Sequence, residues 1–179
     1  RSSSGETLTT HAPYSGAELA TLPQCSVTDV EAAFVRARAA QRAWAARPVR
    51  ERARVFLKLH DLLLARQDEI MDLVQAENGK SRRDAFLEVA DIANTARYYA
   101  RTARGSLRAR RRTGLFPGLT ATRELRQPKG VVSIISPWNY PLALSVGDTI
   151  PALIAGNAVI QKPDIQTALT ALWGLARAR

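Results

Sequence analysis

A primary amide and an ammonium group close two apolar runs of this sequence. The first run, Val131 to Ser136 (VVSIIS), leads into Pro137-Trp138-Asn139-Tyr140-Pro141. The second, Asn157 to Lys162 (NAVIQK), leads into Pro163-Asp164. In an open parallel sheet, ligands bind beyond the carboxyl ends of the strands. If the two runs are neighbouring strands, Asn139 and Lys162 crown one edge. An amide donor beside an ammonium there suits an anionic or oxyanionic ligand. Flanking prolines lower the entropy cost of holding both loops rigid. The same spacing serves a packed turn equally well, with the Trp138 indole as core filler and the Asn139 amide capping the next helix. Residue types and spacing leave both readings open.

Other reactive side chains offer less. Cys25 is the one cysteine, so no intrachain disulfide framework exists and a reducing, cytoplasmic setting is expected. It reads as a structural, unreactive thiol. His11 and His60 stand apart from each other and from any Asp or Cys at ligand spacing, so no metal site is expected. Glu77 and Lys80 read as a local interaction at a helix end.

The elements that must position Asn139 and Lys162 follow from periodicity. Residues 1–25 read as a hairpin or extended arm around the turn signals of APYSGAE. Ser26 or Thr28 caps a helix with Val30, Phe34, Ala37 and Gln41 on one face, broken at Arg47-Pro48. From Val49 to about Glu77, Val55, Phe56, Leu59, Leu62, Leu63, Ile70, Leu73 and Val74 keep one helical period, ended by Asn78-Gly79. A third helix is expected from Ser81 to Arg104, with Phe86, Val89, Ile92, Ala93 and Ala96 inward and Gly105 stopping it. GLFPGL (Gly114 to Leu119) reads as a turn, and Thr120 to Gln127 as an edge or arm strand. VVSIIS and NAVIQK have the β-branched continuity of strands covered on both faces. The 20 residues between them, helical near Ala143 to Ala155 and stopped by Gly156, suit a right-handed βαβ crossover. A last helix starts near Gln166, and Trp44 and Trp173 fall on helices as core residues.

Charge adds a second functional class. The formal net charge is +10 over 179 residues. Between Ile92 and Arg123 there are eight arginines and no acid. Arg97, Arg101, Arg104 and Arg108 recur at helical spacing and form one stripe that RARRR (Arg108 to Arg112) extends along a basic linker. A nucleic-acid-binding module using Arg97 to Arg112 is the alternative function. No nucleic-acid motif accompanies the stripe, and a solvated face with partner acids elsewhere is the favoured reading. Hydrophobic residues make up 46% of the chain, enough for a core. No apolar stretch reaches membrane-spanning length.

GVVSIISPWNYPL (Gly130 to Leu142) followed by PALIAGNAVIQKP (Pro151 to Pro163) resembles the aldehyde dehydrogenase superfamily, as do APYSGAELATLP, the helix WAARPVRERARVFLKLHDLL and ENGK (Glu77 to Lys80). The semialdehyde branch, such as succinate-semialdehyde dehydrogenase, is the nearest in flavour. The resemblance implies an α/β fold: N-terminal helices and an arm, then the first βαβ part of a Rossmann-like parallel sheet. It divides the chain into 1–119 (arm and helical part of the cofactor domain), 120–129 (strand of the oligomerisation arm) and 130–179 (start of the cofactor-binding sheet). It implies oxidation of an aldehyde to the acid by NADP or NAD, through a cysteine thiohemiacetal and a thioester hydrolysed with a glutamate base. Asn139 is then the oxyanion donor. Lys162 faces the adenosine ribose or its 2′-phosphate. Ile135, Ser136, Pro137, Trp138, Asp164 and Ile165 line the cofactor channel. A homo-oligomer is implied for the full-length enzyme.

Three departures from the family pattern matter. The family's cysteine and base glutamate lie well downstream of its Lys-Pro motif, so this chain is expected to be an N-terminal fragment without turnover of its own. A half-built sheet would expose an apolar edge. Ile165 stands where many members have a glutamate for the ribose hydroxyls, which leans toward NADP, while Asp164 pulls the other way. The semialdehyde branch's arginine for a substrate carboxylate is matched by Gly147.

Overall fold

The computed structural model describes residues 2–116 and 118–177. Strands β1 (Thr7–His11) and β2 (Glu18–Pro23) pair antiparallel as the expected hairpin. Helix α1 (Val27–Ala46) starts at Ser26, whose hydroxyl accepts from the Asp29 N–H while the Asp29 carboxylate accepts from the Ser26 N–H. That reciprocal box satisfies two donors a helix start leaves unpaired. Ala33, Phe34, Ala37, Gln41 and Trp44 form the half-buried face of α1, whereas Val30 is exposed.

The single helix expected from Val49 to Glu77 is two. Helix α2 (Val49–Ala65) and helix α3 (Gln67–Asn78) meet at Arg66, which leaves helical geometry at φ −116°, ψ 23°. The apolar period continues across the break, so the pattern concealed it. The bend lets α2 lie against α4 while α3 also reaches α6. Asp68 and Glu69 then sit in the first turn of α3, where the helix dipole favours negative charge.

Helix α4 (Arg82–Leu107) runs through Gly105 rather than stopping there. A helical glycine costs about 1 kcal/mol, and the extension packs Leu107 against the core. Phe86 points outward, 47% exposed; Ala85, Glu88, Val89, Ile92, Ala93, Ala96 and Ala103 form the buried face. The RARRR segment is no linker. Its last three residues form β3 (Arg110–Arg112), antiparallel to β4 (Thr122–Glu124), and the Glu124 carboxylate accepts from both Arg112 and Arg126. Pro117 of the expected Gly114–Leu119 turn lies outside the described residues.

Strand β5 (Val131–Ile135), helix α5 (Ala143–Ile154) and strand β6 (Ala158–Lys162) form the βαβ unit, followed by helix α6 (Ala168–Arg177). β5 and β6 are parallel, in register from Val131 with Ala158 to Ile135 with Lys162. Helices α1 and α5 both pack on the pair. The strands are not covered on both faces as expected. Ile134 is buried, but Ser133 and Ile135 are exposed, because among the described residues the sheet has two strands. One core joins Phe56, Leu63, Ile70, Val74, Val89 and Ile92 to Leu142, Val146 and Ile150 of the crossover. The molecule is thus an α/β fold with its helical layer fused to the start of a parallel sheet.

Candidate active site

The parallel register brings the two loops together. Ile135 and Lys162 are paired, and the Ser136 N–H donates to the Lys162 carbonyl at 3.2 Å. The chain after β5 and the chain after β6 therefore leave the sheet at one edge. Paired residues of a parallel ladder share a face, and the Ile135 and Lys162 side chains are both exposed there. Ser136 is buried, with the Gln161 amide 3.5 Å from its hydroxyl.

Neither half of the packed-turn reading describes the loop. Trp138 is 53% exposed, so its indole does not fill the core. Helix α5 has no side-chain cap from its own N-cap residue, Leu142. Its free amides are met from α4 instead: Glu88 Oε2 accepts from the N–H groups of Leu142 (2.9 Å) and Ala143 (3.0 Å). The Asn139 side chain is exposed and has no protein partner among the described residues. Its backbone, by contrast, is held. Lys80 Nζ donates to the Asn139 carbonyl at 2.8 Å, and Asn78 Nδ2 donates to the Trp138 carbonyl at 2.8 Å.

Glu77 and Lys80 do not form the helix-end interaction expected of them. Each reaches a different element. Lys80 pairs with Glu88 and lies over the Tyr140 ring, 4.4 Å from its centroid. Glu77 caps the start of α6, accepting from the N–H groups of Leu169 (2.6 Å) and Thr170 (2.8 Å). Burial raises the Glu77 pKa above the usual carboxylate range, although the Thr170 and Leu169 hydrogen bonds oppose it. The helix that follows each candidate loop thus begins on a buried glutamate from the helical layer. Sequence reasoning missed Glu88. The available signal was an acid inside an apolar stripe, at the helical spacing set by Ala85, Val89 and Ile92.

The far end of α5 is held as firmly. The Arg52 guanidinium, 5% exposed, donates to the carbonyls of Ile154 (2.9 Å), Ala45 (3.0 Å) and Arg47. Gln41 donates to Gly156 and Trp44 to Leu153. Gly156 turns the chain at φ 99°, and a Cβ there would sit 3.5 Å from both Ala45 and Arg52.

The remaining expected residues fall as follows. Asp164 Oδ1 accepts from the Gln166 N–H at 2.9 Å, so one of its oxygens is already used in the turn before α6. Ile165 is 52% exposed and lines a cavity of about 410 Å³ with Trp138, Glu77, Thr10 and Thr167. That cavity adjoins both loops, although Asn139 and Lys162 are not on its wall. Pro137 is exposed. Gly147 is half-buried on α5, and a Cβ there would lie 3.2 Å from Ile92. Cys25 is exposed in the turn between β2 and α1, not a packed structural thiol. Arg97, Arg101 and Arg104 are exposed along the second half of α4, and Arg108 is exposed just past its end. At 1.5 Å per residue, Arg108 lies about 30 Å along the helix from Glu88.

Comparison with known proteins gives this geometry a context. The model of the aldehyde dehydrogenase family matches residues 1–178. A Mycolicibacterium smegmatis protein, provisionally named succinate-semialdehyde dehydrogenase (NADP+), is 53% identical over 154 residues, covering 86% of this chain and 30% of its own length. An NADP-dependent glyceraldehyde-3-phosphate dehydrogenase from Bacillus halodurans, solved with NADP, superimposes with a TM-score of 0.92 at 34% identity, over 99% of this chain and 38% of that one. An NAD-dependent benzaldehyde dehydrogenase from Corynebacterium glutamicum gives 0.91 at 35% identity, over 99% and 39%. The chain therefore spans about a third of the length of the proteins it matches.

Proposed function

The chain belongs to the aldehyde dehydrogenase family, and from that premise we propose that it supplies the oxyanion donor and the cofactor-facing lysine for NAD(P)-dependent oxidation of an aldehyde to its acid. The observation that carries the reading is the parallel β5–β6 register, which delivers the Asn139 loop and Lys162 to one sheet edge. The residues at that edge suit a dinucleotide phosphate. Lys162 is an exposed ammonium with no acid partner among the described residues. Ile165 brings no carboxylate against a 2′-phosphate, and Asp164 has one oxygen engaged by backbone. NADP is accordingly favoured over NAD, in keeping with the name of the M. smegmatis relative.

A bound nicotinamide cofactor would supply the hydride acceptor. This chain's own residues do the rest of what is assigned here. The Asn139 amide donates to the oxygen of the tetrahedral intermediate. Lys162 offers charge to the ribose or its phosphate. Pro137 and Trp138 shape the wall between them, with Ile135 and Ser136 backbone beside the cofactor. The thiolate and the base belong to residues other than Cys25, which sits on the N-terminal arm, so the 179 residues alone turn over no aldehyde. The substrate class includes semialdehydes such as succinate semialdehyde. Gly147 offers no charge to a substrate carboxylate, so its partner must lie outside α5. Residues 120–129 pair subunits of a cytoplasmic oligomer, with 1–119 as the N-terminal arm and helical part of the cofactor domain and 130–179 as the start of its sheet.

The test is a chimaera in which this chain replaces the matched segment of the M. smegmatis relative. It should oxidise aldehydes with NADP, and Asn139→Ala should lower kcat by ~10²–10³ with little change in KM. A loss under threefold would remove Asn139 from the chemistry. Salt-steep binding of the isolated chain to duplex DNA, abolished by alanines at Arg97, Arg101, Arg104 and Arg108, would favour the basic-module reading instead.

A further inference from the structure

We infer that Lys80 and Glu88 are positioning residues for Asn139, a statement that rests on the oxyanion reading of that amide. An amide donor is useful in catalysis only if it is held where charge develops, before the charge appears. Asn139 sits on an exposed loop. Such loops are mobile by default, since few buried contacts restrain them.

The restraint here acts on main chain alone. Lys80 Nζ donates to Glu88 Oε1 and to the Asn139 carbonyl, and its charge lies over the Tyr140 ring. Glu88 uses its second oxygen on Leu142 and Ala143. One ion pair therefore brackets residues 139–143 from both sides. The pair is itself fixed, because the Glu88 side chain is fully buried and that of Lys80 is 10% exposed.

Local sequence explains how Lys80 reaches the loop. Gly79 ends α3 in the left-handed region at φ 79°, where a Cβ would come within 2.9 Å of Pro13. The reversal lets Asn78 and Lys80, on either side of it, grip successive carbonyls, Trp138 and Asn139. The Asn139 carbonyl is held by Lys80, while its side-chain amide is exposed and has no protein partner among the described residues. A packing device would have no reason to spare the amide.

The isolated 179-residue chain provides the test through ¹⁵N relaxation, since loop order is read without turnover. In Lys80→Met, backbone order parameters at Trp138–Tyr140 should fall from ~0.85 to below ~0.6, while Leu63 and Val89 keep their native values. In Glu88→Gln, the Leu142 and Ala143 amides should exchange at least tenfold faster. Aminoethylation of Lys80→Cys, in a Cys25→Ser background, restores an ammonium of near-lysine reach and should restore the order. If a single variant fails to fold, the double Lys80→Met/Glu88→Gln variant leaves no uncompensated buried charge and should show the same loosened loop. An unchanged loop overturns the inference, and so does loosening spread evenly over α2 and α4 or not reversed by aminoethylation. If the loop loosens as described while Asn139→Ala leaves the chimaera's kcat intact, the oxyanion reading fails and Lys80 remains only a loop anchor.

Discussion

Arg52→Met tests the charged anchor at the far end of the crossover helix. Methionine keeps most of the aliphatic stem and removes the guanidinium, so the loss is electrostatic rather than a packing void. Three carbonyl acceptors lose their donor: Ile154, Ala45 and Arg47. Ile154 is buried, so its carbonyl carries the full penalty of an unmade bond, about 1–3 kcal/mol. Ala45 is half-buried and Arg47 exposed, so water replaces part of what they lose. The positive charge also sits at the C-terminal ends of α1 and α5, worth about 0.3–1 kcal/mol at each. Against this, the variant no longer buries a cation, the same desolvation that pulls the Arg52 pKa down. The net expectation is a loss of about 3 kcal/mol. For a chain of this length that is a fall in Tm of about 6–12 °C, read by circular dichroism melts and urea titration at pH 7. Arg52→Lys should lose at least half as much, since one compact ammonium cannot serve three divergent carbonyls. A fall below ~2 °C in Arg52→Met would refute the assignment of Arg52 as an anchor.

Three further outcomes are expected. The folded-state pKa of Glu77 is raised, so the native chain holds that proton more tightly than the unfolded one; its contribution is most favourable below the ordinary value of 4.5 and is lost as pH rises through the folded pKa. The Tm of the parent relative to Glu77→Gln should therefore decline between pH 4 and 8, and a rising difference would reverse the sign. Ile165→Glu should weaken binding of the 2′-phosphorylated cofactor at least tenfold by carboxylate–phosphate repulsion, with NAD affinity maintained or improved; equal effects on both would separate Ile165 from the ribose. Gly156→Ala should cost about 1–3 kcal/mol in urea titration, because φ 99° is strained for any residue with a Cβ.

Much of the fold was legible because its signals are local. The Ser26 cap, the Gly79 and Gly156 stops and the two β-branched runs each report on a few neighbouring residues. What escaped depends on partners distant in sequence. Arg66 has no breaker residue, and the apolar period crosses it without a phase change. Gly105 looked like a terminator because propensity says so; the gain from seating Leu107 outweighs it. Arg110–Arg112 have poor strand composition and pair only because Thr122–Glu124 lie opposite and supply Glu124. The site divides the same way. Asn139 and Lys162 stand out beside prolines at the strand ends, whereas Glu77 and Arg52 look like ordinary surface charges until the faces that bury them are known, and Glu88 is marked only by its place in an apolar stripe.

Charged side chains from α4 and α2 grip α5 at its opposite ends. An apolar helix on an apolar bed can slip along its axis at small cost, since one methyl group replaces another. Point charges do not permit that slippage, because a displacement of a few ångströms breaks bonds to Leu142 and Ala143 or to Ile154. The expected pattern of tolerance is therefore inverted relative to an ordinary core. Volume-matched exchanges at Val146 or Ile150 should cost less than about 1.5 kcal/mol, while the two hydrophilic clamps resist even conservative replacement.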